Sequence, residues 1–566
     1  MIPFFSKGGG LLREYSYDFA EQRSDMKQTL RMYPWIPRMF FIILAIVAAI
    51  LWFLFFPLHQ PQQQNSSQFY HNLSYWSRES ALAADELEPD RYSFNVPNIS
   101  KADVSSYVEA EEIKKLGTGV RIGEERKGFQ GTGYVYNLPK NTASAFVFPV
   151  SVPATQHYDI TICMAADSDV ENALRVGENL LTHFTMQDTG TFTRVTFYGI
   201  FLERGQTSIA IDAIDGGLDI DYLEMTNDTS VYDVQFDIEK SPCNPNATEE
   251  TKKLYSFLVE QWGKRMITGQ YASDNTNREL SLIYEMTGQL PVIRFGELGS
   301  GNDLQQIEAA MDWHIYTGGV VGFMWHWNAP GTNSVFDKDC NYNLNKALYA
   351  VDVNSVAKMP LDKLKIAAEN GLYPEKCYEL LKDIDDISEQ LKKLANMDIP
   401  VLWRPLHEAS GGWYWWGASG DVMYTQLWQL VYQRMTYYHH LDNLIWIWNG
   451  QSTSFLVPEN TYDIASVDVY LSEKMTYGSR YEQYLSLCRI TDGKKLLALS
   501  ECSALPSMEM MLLDNTLWSF FGLWYGEYLM DSNGNFNDKY YSSSDLYNLY
   551  NSDSALCLND FLALCK

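Results

Sequence analysis

The chain has 566 residues, 46% apolar and 20% charged, which is enough for two or three folded domains and too apolar for a disordered protein. Its formal net charge of −28 argues against nucleic acid and anionic lipid headgroups as ligands, because both would be repelled. A neutral ligand is compatible with this charge. The eight cysteines form no CxxC pair and no Cys/His cluster with metal-ligand spacing, which argues against a structural zinc site.

The first long element is an apolar run near the N-terminus. Residues 39–56, MFFIILAIVAAILWFLFF, are 18 uncharged positions, enough for a helix to span a bilayer. Six Lys or Arg residues precede the run and none follows before Arg78, so the positive-inside rule places residues 1–38 in the cytoplasm. We expect a signal anchor over 39–57 and a single-pass membrane protein with extracellular folded domains. The alternative is a cleaved signal peptide and a secreted protein.

A polar tract rich in Gln, Pro and Ser follows the run and predicts a stalk over residues 58–103. Residues 104–228 then show short strand-like segments without helical patterns between them, which predicts a β-sandwich of about 120 residues. The segments are SAFVFPVSVP, HYDITICMAA, TFTRVTFYGIFL, QTSIAIDAI and LDIDYLEM. Residues 229–249 are polar, contain two prolines and predict a linker.

Residues 250–566 alternate short apolar strands with amphipathic helices. The strand segments are KRMITGQ, PVIRFGE, VVGFMWHW, PVLWRPLHE, NLIWIWNG, ASVDVY, KKLLALSE and SFFGLWY. Eight strands alternating with helices over roughly 300 residues predict a parallel (β/α)8 TIM barrel. The predicted fold class is therefore α/β, with an N-terminal β-sandwich domain and one N-terminal transmembrane helix.

The reactive groups of such a barrel lie where the strands end, at its C-terminal face. Polar side chains at these ends are Gln270, Glu297, His326, Glu408, Asn449, Asp468, Tyr470 and Glu501. Glu408 follows the fourth strand and Glu501 the seventh, and two carboxyl groups facing one cavity are what glycoside hydrolysis requires. One protonates the leaving oxygen while the other attacks the anomeric carbon. Arg404 and His407 can stabilise a carboxylate, and Tyr470 can donate its hydroxyl to one.

Aromatic side chains are frequent around the same strand ends. Tryptophan rings offer flat faces for the apolar sides of pyranose rings, although tryptophan is also a common core residue. We expect such ring faces from Trp327, Trp413, Trp415, Trp416 and Trp524.

Two segments resemble a known family. WRPLHEASGGWYWWG, residues 403–417, resembles the acid/base motif of glycoside hydrolase family 26, which consists mainly of β-mannanases, and GFMWHWNAP resembles its third-strand motif. The resemblance covers roughly 250–530. It implies a (β/α)8 barrel, a retaining mechanism, Glu408 as the acid/base and Glu501 as the nucleophile. It also implies subsites around the cleaved bond lined by His326, His407, Trp413, Tyr470 and Trp524.

The strand-rich segment has a resemblance of its own. YVEAEE, GFQGTGYVYNL, FVFPVSVPATQHYDITICMAA and GLDIDYLEM resemble a carbohydrate-binding module of family 35, over about 104–226. That family carries a structural calcium ion. Its pattern implies Glu109, Glu111 and Asp221 as ligands, whose oxygens are of the type that calcium prefers. No cofactor is expected for catalysis.

These features together predict a membrane-anchored, extracellular endo-β-mannanase that acts as a monomer. It would hydrolyse β-1,4-mannosidic linkages in mannan, glucomannan or galactomannan by double displacement, and would bind no nucleic acid. One alternative keeps the barrel but changes the glycan to β-1,3-xylan or mixed-linkage β-glucan. The other alternative is an inactive surface glycan-binding protein, against which the intact pair Glu408 and Glu501 argues.

Overall fold

The computed structural model describes residue 93 and residues 97–565, apart from 178, 341 and 472–477. The predicted cytoplasmic tail, the signal anchor and most of the predicted stalk lie outside the described residues, so these stay predictions. Within the described part of the chain, no helix is both long enough and apolar enough to cross a bilayer.

Ten strands form a two-sheet domain ahead of the barrel. They are β1 Ser105–Glu109, β2 Arg121–Gly123, β3 Tyr134–Tyr136, β4 Thr142–Val152, β5 Gln156–Ala166, β6 Val170–Val176, β7 Asn179–Met186, β8 Thr193–Leu202, β9 Gly205–Ala213 and β10 Leu218–Asn227. One sheet has the order β2-β3-β10-β5-β8, with β1 also paired to β10, and the other has the order β4-β9-β6-β7. The predicted sheet-rich domain is thereby confirmed.

The alternation of apolar and polar residues along these strands builds the core between the two sheets. In β4, Phe148, Val150 and Val152 are buried while Pro149 and Ser151 between them are exposed. Successive side chains of a strand point to opposite faces, so one face of each sheet is apolar. The buried side chains of both sheets form one hydrophobic cluster.

Eight parallel strands close into a barrel, and a ninth and tenth form a small parallel pair beside it. The barrel strands are β12 Gly269–Tyr271, β13 Ile293–Leu298, β14 Val320–Trp325, β15 Val401–Arg404, β16 Leu444–Trp448, β17 Ile464–Val469, β18 Leu496–Cys502 and β19 Phe521–Leu523; the pair is β11 Met266–Ile267 with β20 Ala555–Leu556. Each barrel strand overlaps one of the eight predicted segments, so the predicted barrel is confirmed.

Helices connect and cover these strands. They are α1 Ser230–Asp233, α2 Glu249–Gln261, α3 Arg278–Thr287, α4 Asp303–Thr317, α5 Asp337–Cys340, α6 Leu344–Leu348, α7 Val353–Val356, α8 Leu361–Glu369, α9 Glu375–Ala395, α10 Asp421–Gln433, α11 Tyr481–Ile490, α12 Met508–Leu513, α13 Ser543–Tyr550 and α14 Leu558–Leu564. In α9 the residues Leu380, Ile384 and Leu391 form a buried stripe at helical spacing. All five residues of β16 are buried, as expected for a parallel strand covered by helices.

A polar contact joins the sandwich to the barrel. The imidazole Nε2 of His157 lies 2.7 Å from Oδ1 of Asp514, with both side chains buried. The hydroxyl of Tyr481 donates to Oδ2 of Asp228 at 2.6 Å. The ring of Tyr481 lies so close to Gly199 that a Cβ there would come within 2.0 Å of it. Only glycine permits this approach.

The predicted linker, residues 229–249, is also bound to the barrel. The N–H of Glu239 donates to the carbonyl of Lys494 at 3.0 Å. The buried ammonium group of Lys495 donates to the Glu239 carboxylate at 2.5 Å. Because a buried ammonium group is costly without a partner, this ion pair holds the segment on the barrel surface.

Candidate active site

Glu408 follows β15 at the C-terminal face of the barrel. Its φ of 51° lies in the left-handed region, which residues other than glycine adopt rarely. The Glu408 N–H donates to the carbonyl of Asn449 at 2.8 Å and to its side-chain Oδ1 at 3.1 Å. Strained backbone of this kind persists where surrounding contacts hold it, and it is frequent at functional sites.

Glu501 lies near the end of β18 and is buried. The hydroxyl of Tyr470, which follows β17, donates to Oε2 of Glu501 at 2.7 Å. The guanidinium group of Arg404, at the end of β15, donates to Oε1 of the same carboxylate. Three strand ends therefore converge on Glu501, and both of its oxygens accept a hydrogen bond.

Three carboxyl groups meet at this face of the barrel. Glu408, Asp468 and Glu501 each offer an oxygen that lies within 4.8 Å of the other two. This separation resembles the about 5–5.5 Å between the two carboxyl groups of retaining glycoside hydrolases and is shorter than the about 6.5–9.5 Å of inverting ones. The guanidinium group of Arg404 donates to Oδ2 of Asp468 at 2.8 Å and supplies the compensating positive charge.

Asp468 has a larger part in the site than the sequence suggested. Its Oδ1 accepts from the amide of Asn449 at 2.8 Å and from the hydroxyl of Ser500 at 2.6 Å. The amide of Gln451 donates to the Asp468 carbonyl at 2.9 Å. The strand-end position of Asp468 was visible in the sequence, but Ser500 and Gln451 carried no signal that linked them to it.

The electrostatics of the cluster favour one shared proton. Burial first, and then the charge of Asp468, raises the pKa of both Glu408 and Glu501, while Arg404 lowers both. Carboxylates this close do not all ionise together. Arg404 and Tyr470 both donate to Glu501, which favours the charge there. These two hydrogen bonds favour Glu501 as the ionised group and Glu408 as the group that keeps the shared proton.

Two histidines flank the carboxyl groups. Burial, followed by the charge of Arg404, holds the pKa of His407 well below its usual value, so this imidazole is neutral. The Nδ1 of His326 lies 2.9 Å from Oε1 of Glu297, and the hydroxyl of Tyr525 donates to the other oxygen of Glu297 at 3.2 Å. Burial alone would raise the pKa of Glu297, but these two partners lower it.

Three of the predicted ring faces are not available to a ligand. Trp327, Trp415 and Trp416 are 2%, 0% and 0% exposed. Trp327 is stacked on Trp325 with ring centroids 4.2 Å apart, and Trp416 is stacked on Tyr414 at 4.4 Å. The predicted substrate contact of these tryptophans is therefore wrong, because protein atoms cover both sides of their rings. They pack beneath the site instead.

The remaining predicted aromatic residues reach the surface. Trp413 is 45% exposed, and its ring lies over Gly411. Trp524 is half-buried and lies against Tyr525, with ring centroids 4.7 Å apart. Tyr470 is also half-buried. Arg404 and His407 are buried beneath the carboxyl groups and contact those groups or their neighbours rather than solvent.

Comparison with known proteins agrees with this geometry. The sequence model of glycosyl hydrolase family 26 matches residues 243–552, which is more than half of the chain. The chain belongs to glycosyl hydrolase family 26. The model of the carbohydrate binding module of family 35 matches residues 106–227, which include nearly all of the ten-strand sandwich.

Similar proteins match the two domains together. A mannan endo-1,4-β-mannosidase of Thermothelomyces thermophilus is 31% identical over 465 residues, covering 80% of this family 26 chain and 89% of that protein. Mannan endo-1,4-β-mannosidase A of Piromyces sp is 29% identical over 482 residues, covering 82% and 73%. The crystal structure of a Podospora anserina GH26-CBM35 β-(1,4)-mannanase is 29% identical, with a TM-score of 0.53, and covers 81% of this chain and 99% of that one.

The predicted calcium ligands lie together on the sandwich. Oε2 of Glu109 and Oε2 of Glu111 are buried and make no hydrogen bond within the described residues. The N–H of Gln130 donates to both carboxylate oxygens of Asp221 at 3.1 Å, and a Cβ at Gly131 would lie 2.3 Å from Oε1 of Glu111. Burial, and after it the neighbouring carboxylates, raises the pKa of Glu109 and Asp221. The three side chains offer carboxylate oxygens of the type that calcium prefers, and the two unpaired buried oxygens call for a cation.

We expect Asp468→Asn to move the alkaline limb of the pH–activity profile to lower pH, by roughly one unit. The charge of Asp468 raises the pKa of Glu408, so its removal lets Glu408 lose its proton at lower pH. The measurement is kcat/KM against pH. Ser466→Ala, which removes a hydroxyl of the same network without changing its charge, is the control. An unmoved limb in Asp468→Asn contradicts the prediction.

Proposed function

We propose that this family 26 chain is an endo-acting retaining β-mannanase that hydrolyses β-1,4-mannosidic linkages in mannan, glucomannan or galactomannan. The observation that carries the proposal is the pair Glu408 and Glu501, whose oxygens lie within 4.8 Å of each other at the C-terminal face of the barrel. The curated relatives, 31% and 29% identical, are mannan endo-1,4-β-mannosidases, which supports mannan as the substrate class.

The proposed reaction is a double displacement. Glu408 gives its proton to the glycosidic oxygen while the Glu501 carboxylate attacks the anomeric carbon, so the glycosidic bond breaks and a covalent glycosyl-enzyme forms. The Glu408 carboxylate then takes a proton from water, which attacks the same carbon and frees Glu501. The configuration is retained after two inversions. Two carboxyl groups and water complete this reaction, so it needs no cofactor.

The surrounding side chains have separate proposed roles. Arg404 and Tyr470 hold Glu501 ionised through the hydrogen bonds that they donate to it. Trp413, which is 45% exposed, and the half-buried Trp524 offer ring faces to the sugars on the two sides of the cleaved bond. His326 is held by Glu297 through Nδ1 and lies 3.4 Å from the Tyr414 hydroxyl through Nε2, a contact that a sugar hydroxyl would replace.

Glu501→Gln and Glu408→Gln are each expected to lower kcat on galactomannan by about 10²–10⁴-fold or more, because each removes one half of the acid and nucleophile pair. Only Glu408→Gln should still cleave an aryl β-mannoside with an activated leaving group in the first step, since such a group leaves without protonation. The measurement is the burst of released phenol. Equal behaviour of the two variants would contradict the assignment of roles.

The substrate class is tested with the full chain and a panel of galactomannan, glucomannan, β-1,3-xylan and mixed-linkage β-glucan. We expect release of reducing sugar from the two mannans with retention of anomeric configuration, followed by NMR. Release from xylan alone, or from β-glucan alone, would mean that the chain is a hydrolase of that glycan and not a mannanase. Binding to a glycan without release, in a folded protein, would favour an inactive glycan-binding protein.

We also propose that residues 39–57 anchor a monomer in a membrane with residues 1–38 in the cytoplasm and both folded domains outside. The support is the 18-residue apolar run and the six Lys or Arg residues that precede it. Deletion of residues 1–57 is expected to move the protein from the membrane pellet to the supernatant with unchanged kcat. Pelleting of full chain and truncated chain alike, or of neither, would contradict the anchor.

We propose a structural calcium ion held by Glu109, Glu111 and Asp221. The unpaired buried oxygens of Glu109 and Glu111 support it, since a cation would compensate charges that are costly to bury. Chelation with EGTA is expected to lower the melting temperature of the chain by about 4 °C or more, and added calcium to restore it. Glu111→Gln should melt lower and respond little to EGTA. An unchanged melting curve of the original chain on chelation would refute the site.

A further inference from the structure

A cleft lies beside the candidate active site, on the side of the barrel that faces the sandwich. It has a volume of about 230 Å³ and runs between β17 with the loop after β16 on one side and α11, from Glu482 to Ile490, on the other. Its polar lining residues are Gln451, Ser452, Thr453, Ser466, Glu482, Gln483 and Ser486. The mechanism proposed above uses none of these side chains on the substrate.

One wall of the cleft is connected to the catalytic carboxyl groups. The side chain of Gln451 donates to the Asp468 carbonyl at 2.9 Å and accepts from the Asp468 N–H at 3.3 Å. Asp468 in turn lies within 4.8 Å of Glu408 and Glu501. The cleft is therefore separated from the candidate active site by the end of one barrel strand.

The other wall of the cleft meets the sandwich. A carboxylate oxygen of Glu482 accepts a hydrogen bond from the backbone N–H of Tyr198 in β8 at 3.4 Å. The side chain of Tyr198 is 51% exposed, although its backbone lies at the contact between the two domains. The backbone of an exposed aromatic residue of the sandwich thus contacts a residue that lines the polar cleft of the barrel.

A polar row on the outer face of the six-stranded sheet continues this surface. Thr196 of β8 pairs with Thr161 of β5. Thr161 pairs with Glu224 of β10, which pairs with Tyr107 of β1. Tyr107 is 46% exposed. Hydroxyl and carboxylate groups of neighbouring strands therefore lie in one row, in which Thr161 is buried and which ends at the exposed Tyr107.

We propose that this cleft and Tyr198 form a second saccharide-binding site, which takes a hexopyranose segment of the polysaccharide outside the space between Glu408 and Glu501. Amide, hydroxyl and carboxylate groups are the partners that sugar hydroxyls bind, and an exposed tyrosine ring suits the apolar side of a pyranose. The volume is below the about 300–1,000 Å³ of pockets for drug-sized ligands, so the cleft takes one or two sugars of a longer chain. The net charge of −28 excludes an acidic sugar.

The identity of the polysaccharide rests on the proposed function, and the test separates the two. Tyr198→Ala removes the ring and keeps the backbone N–H, while Ser486→Trp fills the cleft. The matched controls are Tyr547→Ala, whose side chain is also 51% exposed, and Ser543→Trp, an exposed serine on a helix that supplies no residue to the cleft. All four are made in the full chain and compared by melting temperature, so that loss of folding is recognised.

The two site variants are expected to raise KM for galactomannan about three- to tenfold, which corresponds to about 0.6–1.4 kcal/mol of binding, with kcat unchanged. Their kcat/KM on an aryl β-mannobioside, which is too short to occupy both sites, should equal that of the original chain. The controls should match the original chain on both substrates. An unchanged galactomannan KM in folded Tyr198→Ala and Ser486→Trp overturns the proposal, and if Ser486→Trp does not fold, Tyr198→Ala decides alone.

If the original chain hydrolyses no mannan, the proposed function fails, and the second site is then tested by measuring binding. The same variants are then run by affinity electrophoresis in gels that contain galactomannan, β-1,3-xylan or mixed-linkage β-glucan. Weaker retardation of Tyr198→Ala than of Tyr547→Ala in a gel that retards the original chain supports the site. Equal retardation of the two, or no retardation of the original chain in any gel, overturns it.

Discussion

The buried guanidinium group of Arg404 is the charge on which the candidate active site depends. It donates to Asp468 and Glu501 and lies 3.0 Å from the hydroxyl of Tyr271. A carboxylate that is buried without a partner costs several kcal/mol, so a barrel interior with three acidic side chains needs a fixed cation among them. Arg404 is the last residue of β15, and Asp468 and Glu501 are the last residues but one of β17 and β18, so closure of the barrel itself brings the charges together.

The different surroundings of Glu408 and Glu501 explain how two identical acids take opposite roles. Glu501 is buried in β18 and accepts hydrogen bonds from Arg404 and Tyr470. Glu408 follows its strand in a strained backbone conformation, and the hydrogen bonds of Arg404 and Tyr470 go to Glu501 rather than to it. A carboxylate with two strong donors is favoured as the ionised group, while its neighbour without these donors is favoured as the group that keeps the proton.

Much of the fold was predictable because its signals are local. Eight short apolar runs bounded by turn residues marked the barrel strands, and the parallel topology then placed Glu408 and Glu501 at one face. The roles of the tryptophans were not predictable in the same way. The sequence does not distinguish a tryptophan ring that stacks on a sugar from one that stacks on Trp325. Burial of Trp327, Trp415 and Trp416 is decided by tertiary packing.

Contacts between distant segments could also not be predicted from the sequence. His157 and Asp514 are 357 positions apart, and nothing in the residues around either one pointed to the other. The polar composition of residues 229–249 predicted a linker, but composition does not tell a free tether from a segment held by Lys495. Such pairings arise only when the two domains have folded and met.

The close approach of Gly199 to Tyr481 has a consequence for how such enzymes can be recombined. A different binding module fused at the same point would have to accommodate the Tyr481 ring and supply partners for Tyr481 and Asp514, which Asp228 and His157 now provide. Exchange of the binding module therefore requires that the surface of the new module be complementary to that of the barrel. A longer or more flexible linker would not replace this complementarity.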